Sequence, residues 1–78
     1  MGSQAYILIE GAAGTIPNIQ KRVSLIDGVR TCHAVTGAFD LVALVEGSDP
    51  NDVGRISFSK IQPLDGVLRT VTCNVIDL

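Results

Sequence analysis

An apolar segment closed by Glu-Gly occurs twice in this chain. Ile7-Leu8-Ile9-Glu10-Gly11 returns as Ala43-Leu44-Val45-Glu46-Gly47, and Ile26-Asp27-Gly28-Val29 returns as Leu64-Asp65-Gly66-Val67. Between the paired segments lies a stretch of helical period, so each half reads as strand, helix, strand. The repeat distances of 36 and 38 residues, with two copies only, do not make a solenoid, which needs about three stacked units. The 78 residues are therefore expected to form one domain, 1–78, from two βαβ halves. A domain of this size buries barely enough apolar surface to stand alone, and association is an ordinary remedy.

Strands are expected at about 4–11, 29–36, 39–47 and 66–77, and helices at about 16–26 and 50–61, with boundaries uncertain by a few residues. The first helix places Ile16, Ile19, Val23 and Ile26 on one stripe, with Thr15 as N-cap and Gly28 as its left-handed stop. Pro17 is tolerable because it falls in the first turn. The second helix has Asp49 as N-cap, Pro50 at its first position, and Val53, Ile56, Ile61 and Leu64 on one face; Pro63 stops it. Gly54 either lets this helix approach a neighbour closely or is a tolerated defect.

The order βαββαβ with right-handed crossovers leads to an α+β, ferredoxin-like sandwich: a four-stranded antiparallel sheet, spatial order 4-1-3-2, with both helices on one face. Its central strands are apolar on both sides. Ile7 and Ile9 alternate with Tyr6 and Leu8, and Leu41, Ala43 and Val45 with Val42 and Leu44. One set meets the helices and the other faces outward, a larger apolar surface than a monomer normally leaves open, so a second subunit is expected to cover it. A greasy monomeric sheet is the alternative.

Composition excludes several classes. The net charge is −2, and the six Lys and Arg residues are scattered, so no phosphate-binding footprint is expected. No apolar run is long enough to span a membrane and no signal-like N-terminus is visible, which points to a cytoplasmic protein. Cys32 and Cys73 fall on opposite edge strands, roughly 14 Å apart, too far for a disulfide, and both read as small buried hydrophobes. His33 points to the opposite face from Cys32, so the two cannot form a nucleophile–base pair. With no metal cluster, phosphate-cradling loop or catalytic triad in the pattern, neither enzymatic activity nor a cofactor is expected.

The segment Val35-Thr36-Gly37-Ala38-Phe39-Asp40 joins the two halves and breaks the repeat. Free amides of a Gly turn can hold a carboxylate, and Asp40 can pair with an ammonium, which together suit a zwitterion. A plain hairpin, with Gly37 at positive φ and Asp40 capping it, explains the same residues.

Taken in order, the apolar first strand, Ile26-Asp27-Gly28-Val29, Val35-Thr36-Gly37-Ala38-Phe39-Asp40-Leu41, Lys60-Ile61-Gln62-Pro63-Leu64-Asp65-Gly66-Val67 and Thr70-Val71-Thr72 form a more specific signature than any one piece. From Ala5 to the C-terminus the chain resembles the effector-binding (RAM) domain of the Lrp/AsnC, or feast/famine, transcription regulators. The resemblance implies a protomer that dimerises through its sheets, dimers that assemble into octamers or similar rings, and an amino-acid effector bound between dimers. Carried onto this chain, Thr36, Gly37, Ala38, Phe39 and Asp40 line the pocket. Gly37 and Ala38 offer backbone contacts to the effector carboxylate, and Asp40 holds its amino group. Thr70 and Thr72 add hydroxyls from a neighbouring protomer.

The regulators also carry an N-terminal helix-turn-helix domain, which this chain does not show, so no direct nucleic-acid contact is expected. A stand-alone effector domain of this kind could sense amino acids alone or mix with full-length Lrp/AsnC regulators. The other class left open is a ligand-free oligomerisation module, an ACT-like regulatory subunit or a small ferredoxin-like enzyme.

Overall fold

The computed structural model describes residues 2–78. Strand β1 (Ser3–Gly11) is followed by α1 (Ile16–Ser24), β2 (Val29–Ala34), β3 (Leu41–Gly47), α2 (Pro50–Arg55), which continues as a π-helical segment (Ile56–Ile61), and β4 (Val67–Asn74). The four strands pair antiparallel in the order β2-β3-β1-β4, the α+β arrangement expected from the two halves.

Strand parity decides the layers. Ala5, Ile7 and Ile9 of β1 and Leu41, Ala43 and Val45 of β3 are fully buried, and they close one core with Cys32, Ile19, Val23, Val53 and Ile61. Both helices contribute to that core, so both lie on one face. Burial of each Ile, Leu or Val side chain is worth about 1.5–3 kcal/mol.

The two copies of Asp-Gly-Val do the same work. The Gly28 carbonyl accepts from the Glu46 amide at 2.8 Å, and the Gly66 carbonyl accepts from the Ala12 amide at 2.7 Å, each tying the entry of an edge strand to the end of a central one. At Gly28, φ is +95° and a Cβ would lie 2.9 Å from the Glu46 carbonyl, so the approach admits no side chain.

Several expectations are corrected. The first helix ends at Ser24, with Leu25 as C-cap, and Gly28 lies in the turn beyond it rather than at the helix stop. Thr15 occupies the N-cap position but caps nothing; its hydroxyl donates instead to the Ala12 carbonyl at 2.7 Å. Only half of the 50–61 helix is α-helical. Pro63 has no N–H to give, and the Gln62 amide reaches five residues back to the Ser57 carbonyl at 3.0 Å, widening the turns that bury Ser57 and Ile61. Of the two readings of Gly54, close approach within the protomer is not seen, since open space lies where a Cβ would stand. Strand β4 stops at Asn74 and leaves Val75–Leu78 outside the sheet. Cys73 is exposed, against the expectation that both thiols are buried, because β4 is an edge strand and Cys73 shares the outward parity of Tyr6.

Other features agree with the sequence. Asp49 caps α2 by accepting from the Asp52 amide at 2.8 Å, and the Asp52 carboxylate accepts from the amide of Ser48, the residue before the cap, at 2.8 Å. Cys32 and Cys73 are free and lie on opposite edge strands. Cys32 is buried while His33 is exposed, as their opposite parity requires.

Candidate functional site

The β2–β3 turn is built at the end of the sheet where β1 runs out. The Val35 amide donates to the Asp40 carbonyl at 2.9 Å, closing a loop over residues 36–39, and Gly37 takes φ +112° at its apex. The Asp40 amide donates to the Ile9 carbonyl at 3.0 Å, and the Gly11 amide donates to Asp40 Oδ2 at 2.9 Å. Asp40 thus braces the turn against the bulge where the β1–β4 register shifts between Glu10 and Gly11. Its capping role reaches the neighbouring strand rather than its own hairpin.

What the turn leaves free defines its chemistry. Thr36, Gly37 and Ala38 are exposed, and among the described residues the amides of Thr36, Gly37, Ala38 and Phe39 have no hydrogen-bond partner. Asp40 Oδ1 also lacks a partner, yet no buried side-chain oxygen or nitrogen is unsatisfied among the described residues, so this oxygen is open to solvent. Unengaged amides beside an accessible carboxylate oxygen can take an anion and a cation a short distance apart.

Phe39 is half-buried although the residues before it are exposed. Its ring lies under the Arg69 guanidinium, 4.8 Å from centroid to Cζ, and Arg69 Nε pairs with Glu10 Oε1 at 3.3 Å. Glu10 and Arg69 are register partners of β1 and β4. This cluster was missed in the sequence. Only the register brings residues 10, 39 and 69 to one corner, and no local pattern marks it.

The threonines sit differently. Thr70 and Thr72 pair with Ile9 and Ile7 and so share one face, the helix side of β4. Thr70 Oγ1 accepts from Gln62 Nε2 at 3.2 Å, beside a shallow cleft lined by Gln62, Val67, Leu68, Arg69 and Thr70. Thr72 is exposed and lies further along the strand. Within one protomer, Phe39 and Asp40 are joined to the sheet end, and among the described residues no hydrogen bond links either threonine to the turn.

On the face away from the helices, Leu8, Val42, Leu44 and Val71 are half-buried, and Tyr6 is 47% exposed. Ion pairs stand at two corners of this face: Glu10 with Arg69, and Glu46 with Arg30 at 2.9 Å. Burial pushes the Cys32 thiol pKa above its ordinary value. Among the described residues no group of His, Cys, Asp and Glu could hold a metal ion, and no helix is long and apolar enough to cross a membrane.

Fold and corner together define a small α+β domain with an amide-lined turn at one sheet end. A family profile described as the Lrp/AsnC ligand binding domain matches residues 4–77, and the chain belongs to that family. It is 33% identical over 75 residues to an uncharacterised HTH-type transcriptional regulator of Pyrococcus horikoshii, a match covering 92% of this chain and 50% of that protein. The chain thus spans about half the length of the curated relatives it matches. Among solved structures, a Thermus thermophilus protein superposes with a TM-score of 0.92 at 28% identity, covering 97% of this chain and 95% of its own. A Neisseria meningitidis transcriptional regulator, solved as a complex with L-Met, shares the fold with a TM-score of 0.85 at 21% identity. That match covers 96% of this chain and 50% of the regulator.

Proposed function

We propose that this chain is an amino-acid effector-binding module that works as an oligomer. The observation that carries the reading is that an Lrp/AsnC ligand-binding match running over 4–77 includes a turn whose amides and one carboxylate oxygen are unengaged. A free amino acid presents a carboxylate and an ammonium on one carbon. The amides of Gly37 and Ala38 receive the carboxylate, Asp40 Oδ1 takes the ammonium, and Thr36 and Phe39 form the walls. Oδ2 stays on the Gly11 amide, so Asp40 holds a ligand without releasing the strand. Thr70 and Thr72 supply hydroxyls from a neighbouring protomer; Thr70 accepts from Gln62, which leaves its own proton free to donate. The L-Met complex of the Neisseria protein supports the ligand class at the level of the fold.

The outward sheet face, apolar at its centre and rimmed by ion pairs, is covered by a second copy, and dimers assemble further to bring Thr70 and Thr72 to a neighbour's turn. Partners follow from the same surface: other copies and full-length Lrp/AsnC regulators that share it. The module acts in the cytoplasm as a regulatory binder with no turnover of its own and no cofactor, and domain 1–78 contacts no DNA directly.

The test is a calorimetric titration with the twenty amino acids, run beside a solution mass measurement. Saturable binding of at least one amino acid by an oligomer is expected. An intact oligomer that binds none overturns the reading, and so does a monomer that binds as well as any assembly.

A further inference from the structure

Besides the Asp40 amide on the Ile9 carbonyl, two side chains tie the turn to adjacent residues of β1. Asp40 holds Gly11, and Phe39 reaches Glu10 through Arg69. From these contacts we infer that Arg69 is a positioning residue, which clamps Phe39 and so keeps the unengaged amides of residues 36–38 pointed for a ligand. The inference rests on the effector-binding reading for its ligand, but the clamp itself is a property of the chain.

The geometry argues for this role. A guanidinium is planar and can stack on a ring while its Nε donates sideways to a carboxylate, which an ammonium cannot do. Arg69 does both, with Phe39 at 4.8 Å and Glu10 at 3.3 Å. The Arg69 and Glu10 side chains are 56% and 41% exposed, so the ion pair alone stabilises the fold little. Its effect is local, because it fixes the direction of one arginine. Phe39 stands between the free amides and Asp40, so a ring free to swing lets the amides turn away while the Asp40 brace stays closed. Arg69 and Glu10 also lie on the outward parity of the sheet, in the rows of Leu8 and Val71. One end of the clamp is thus in the proposed ligand corner and the other on the face assigned to a second copy.

The experiment compares the full chain with Arg69→Gln, Arg69→Lys and Phe39→Leu. Backbone order at residues 36–38 is read by amide relaxation, and affinity by titration with whichever amino acid the unmodified chain binds. Arg69→Gln should loosen those amides with an unchanged melting temperature, and weaken binding about three-fold, the scale of one exposed cation–π contact. Arg69→Lys, which keeps the ion pair but stacks poorly, should fall between. Arg69→Gln combined with Phe39→Leu should be no worse than Phe39→Leu alone, because without the ring the guanidinium has nothing to hold. Equal amide order in Arg69→Gln and the unmodified chain overturns the clamp, as does strict additivity of the two substitutions. Should the unmodified chain bind no amino acid, the effector reading fails by itself and the relaxation measurement still decides the clamp.

Discussion

Asp40 braces the first strand through Oδ2, and the proposed function gives its Oδ1 to an ammonium; substitutions separate the two. Asp40→Asn keeps a neutral acceptor for the Gly11 amide and removes the charge offered to an ammonium. Its thermal stability should stay close to that of the unmodified chain while amino-acid affinity falls by about ten-fold, an ion pair's share. Asp40→Ala should also destabilise, by about 1–2 kcal/mol in denaturant melts, because the half-buried Gly11 amide loses its partner. Equal melting curves for the two variants would show that the brace contributes nothing. Cys32 gives a pH prediction of definite sign. Burial raises its folded-state pKa above the ordinary 9.0, so the unfolded chain gives up that proton first. Between the two values the folded state holds more protons, and stability falls as pH rises past 9.0, levelling once the folded thiol ionises. Melts of the unmodified chain against Cys32→Ala across that range should differ in slope, the variant being flatter.

At the level of elements, two glycines in equally ordinary sequence have opposite effects. Gly54 lies in α2 with nothing near a Cβ, so Gly54→Ala should stabilise by up to about 1 kcal/mol through the backbone entropy of the unfolded chain. Gly28 combines positive φ with the Glu46 carbonyl 2.9 Å from a would-be Cβ, so Gly28→Ala should destabilise by about 1–3 kcal/mol. Paired denaturant melts check both signs. The helix starts differ in the same instructive way. Asp49 caps because its short carboxylate meets the Asp52 amide, whereas Thr15 turns its hydroxyl back to Ala12, and α1 begins without a side-chain cap. Residue type alone does not separate these two outcomes; the path of the chain into the helix does.

For the molecule as a whole, the outward sheet face is the feature with the largest consequence. Leu44 is half-buried there, away from the core, so Leu44→Arg should leave the protomer folded with a near-native circular dichroism spectrum. Set in a sheet-to-sheet contact, the same charge would be desolvated without a partner, and the assembly should dissociate by mass measurement. If this variant keeps the mass of the unmodified chain, the outward sheet face is not the surface that assembles. Dissociation should also cost amino-acid affinity, since the proposed function takes the Thr70 and Thr72 hydroxyls from a neighbouring protomer.

The layers of this protein are legible in its residue pattern. Two strand-helix-strand copies, a period of two in Ala5 to Ile9 and Leu41 to Val45, and helical stripes at Ile19, Val23, Val53 and Ile61 admit one burial pattern, because parity and period are local and the apolar side chains must share a core. The turn at Gly37 and Asp40 was legible for the same reason: it is the place where the repeat breaks. Which residues meet across strands is settled by the assembled sheet instead. That Asp40 grips Gly11, that Phe39 lies on Arg69 and that Cys73 faces outward all follow from register and edge position. Register is set by the summed packing of the whole sheet, so no segment of the chain carries it alone.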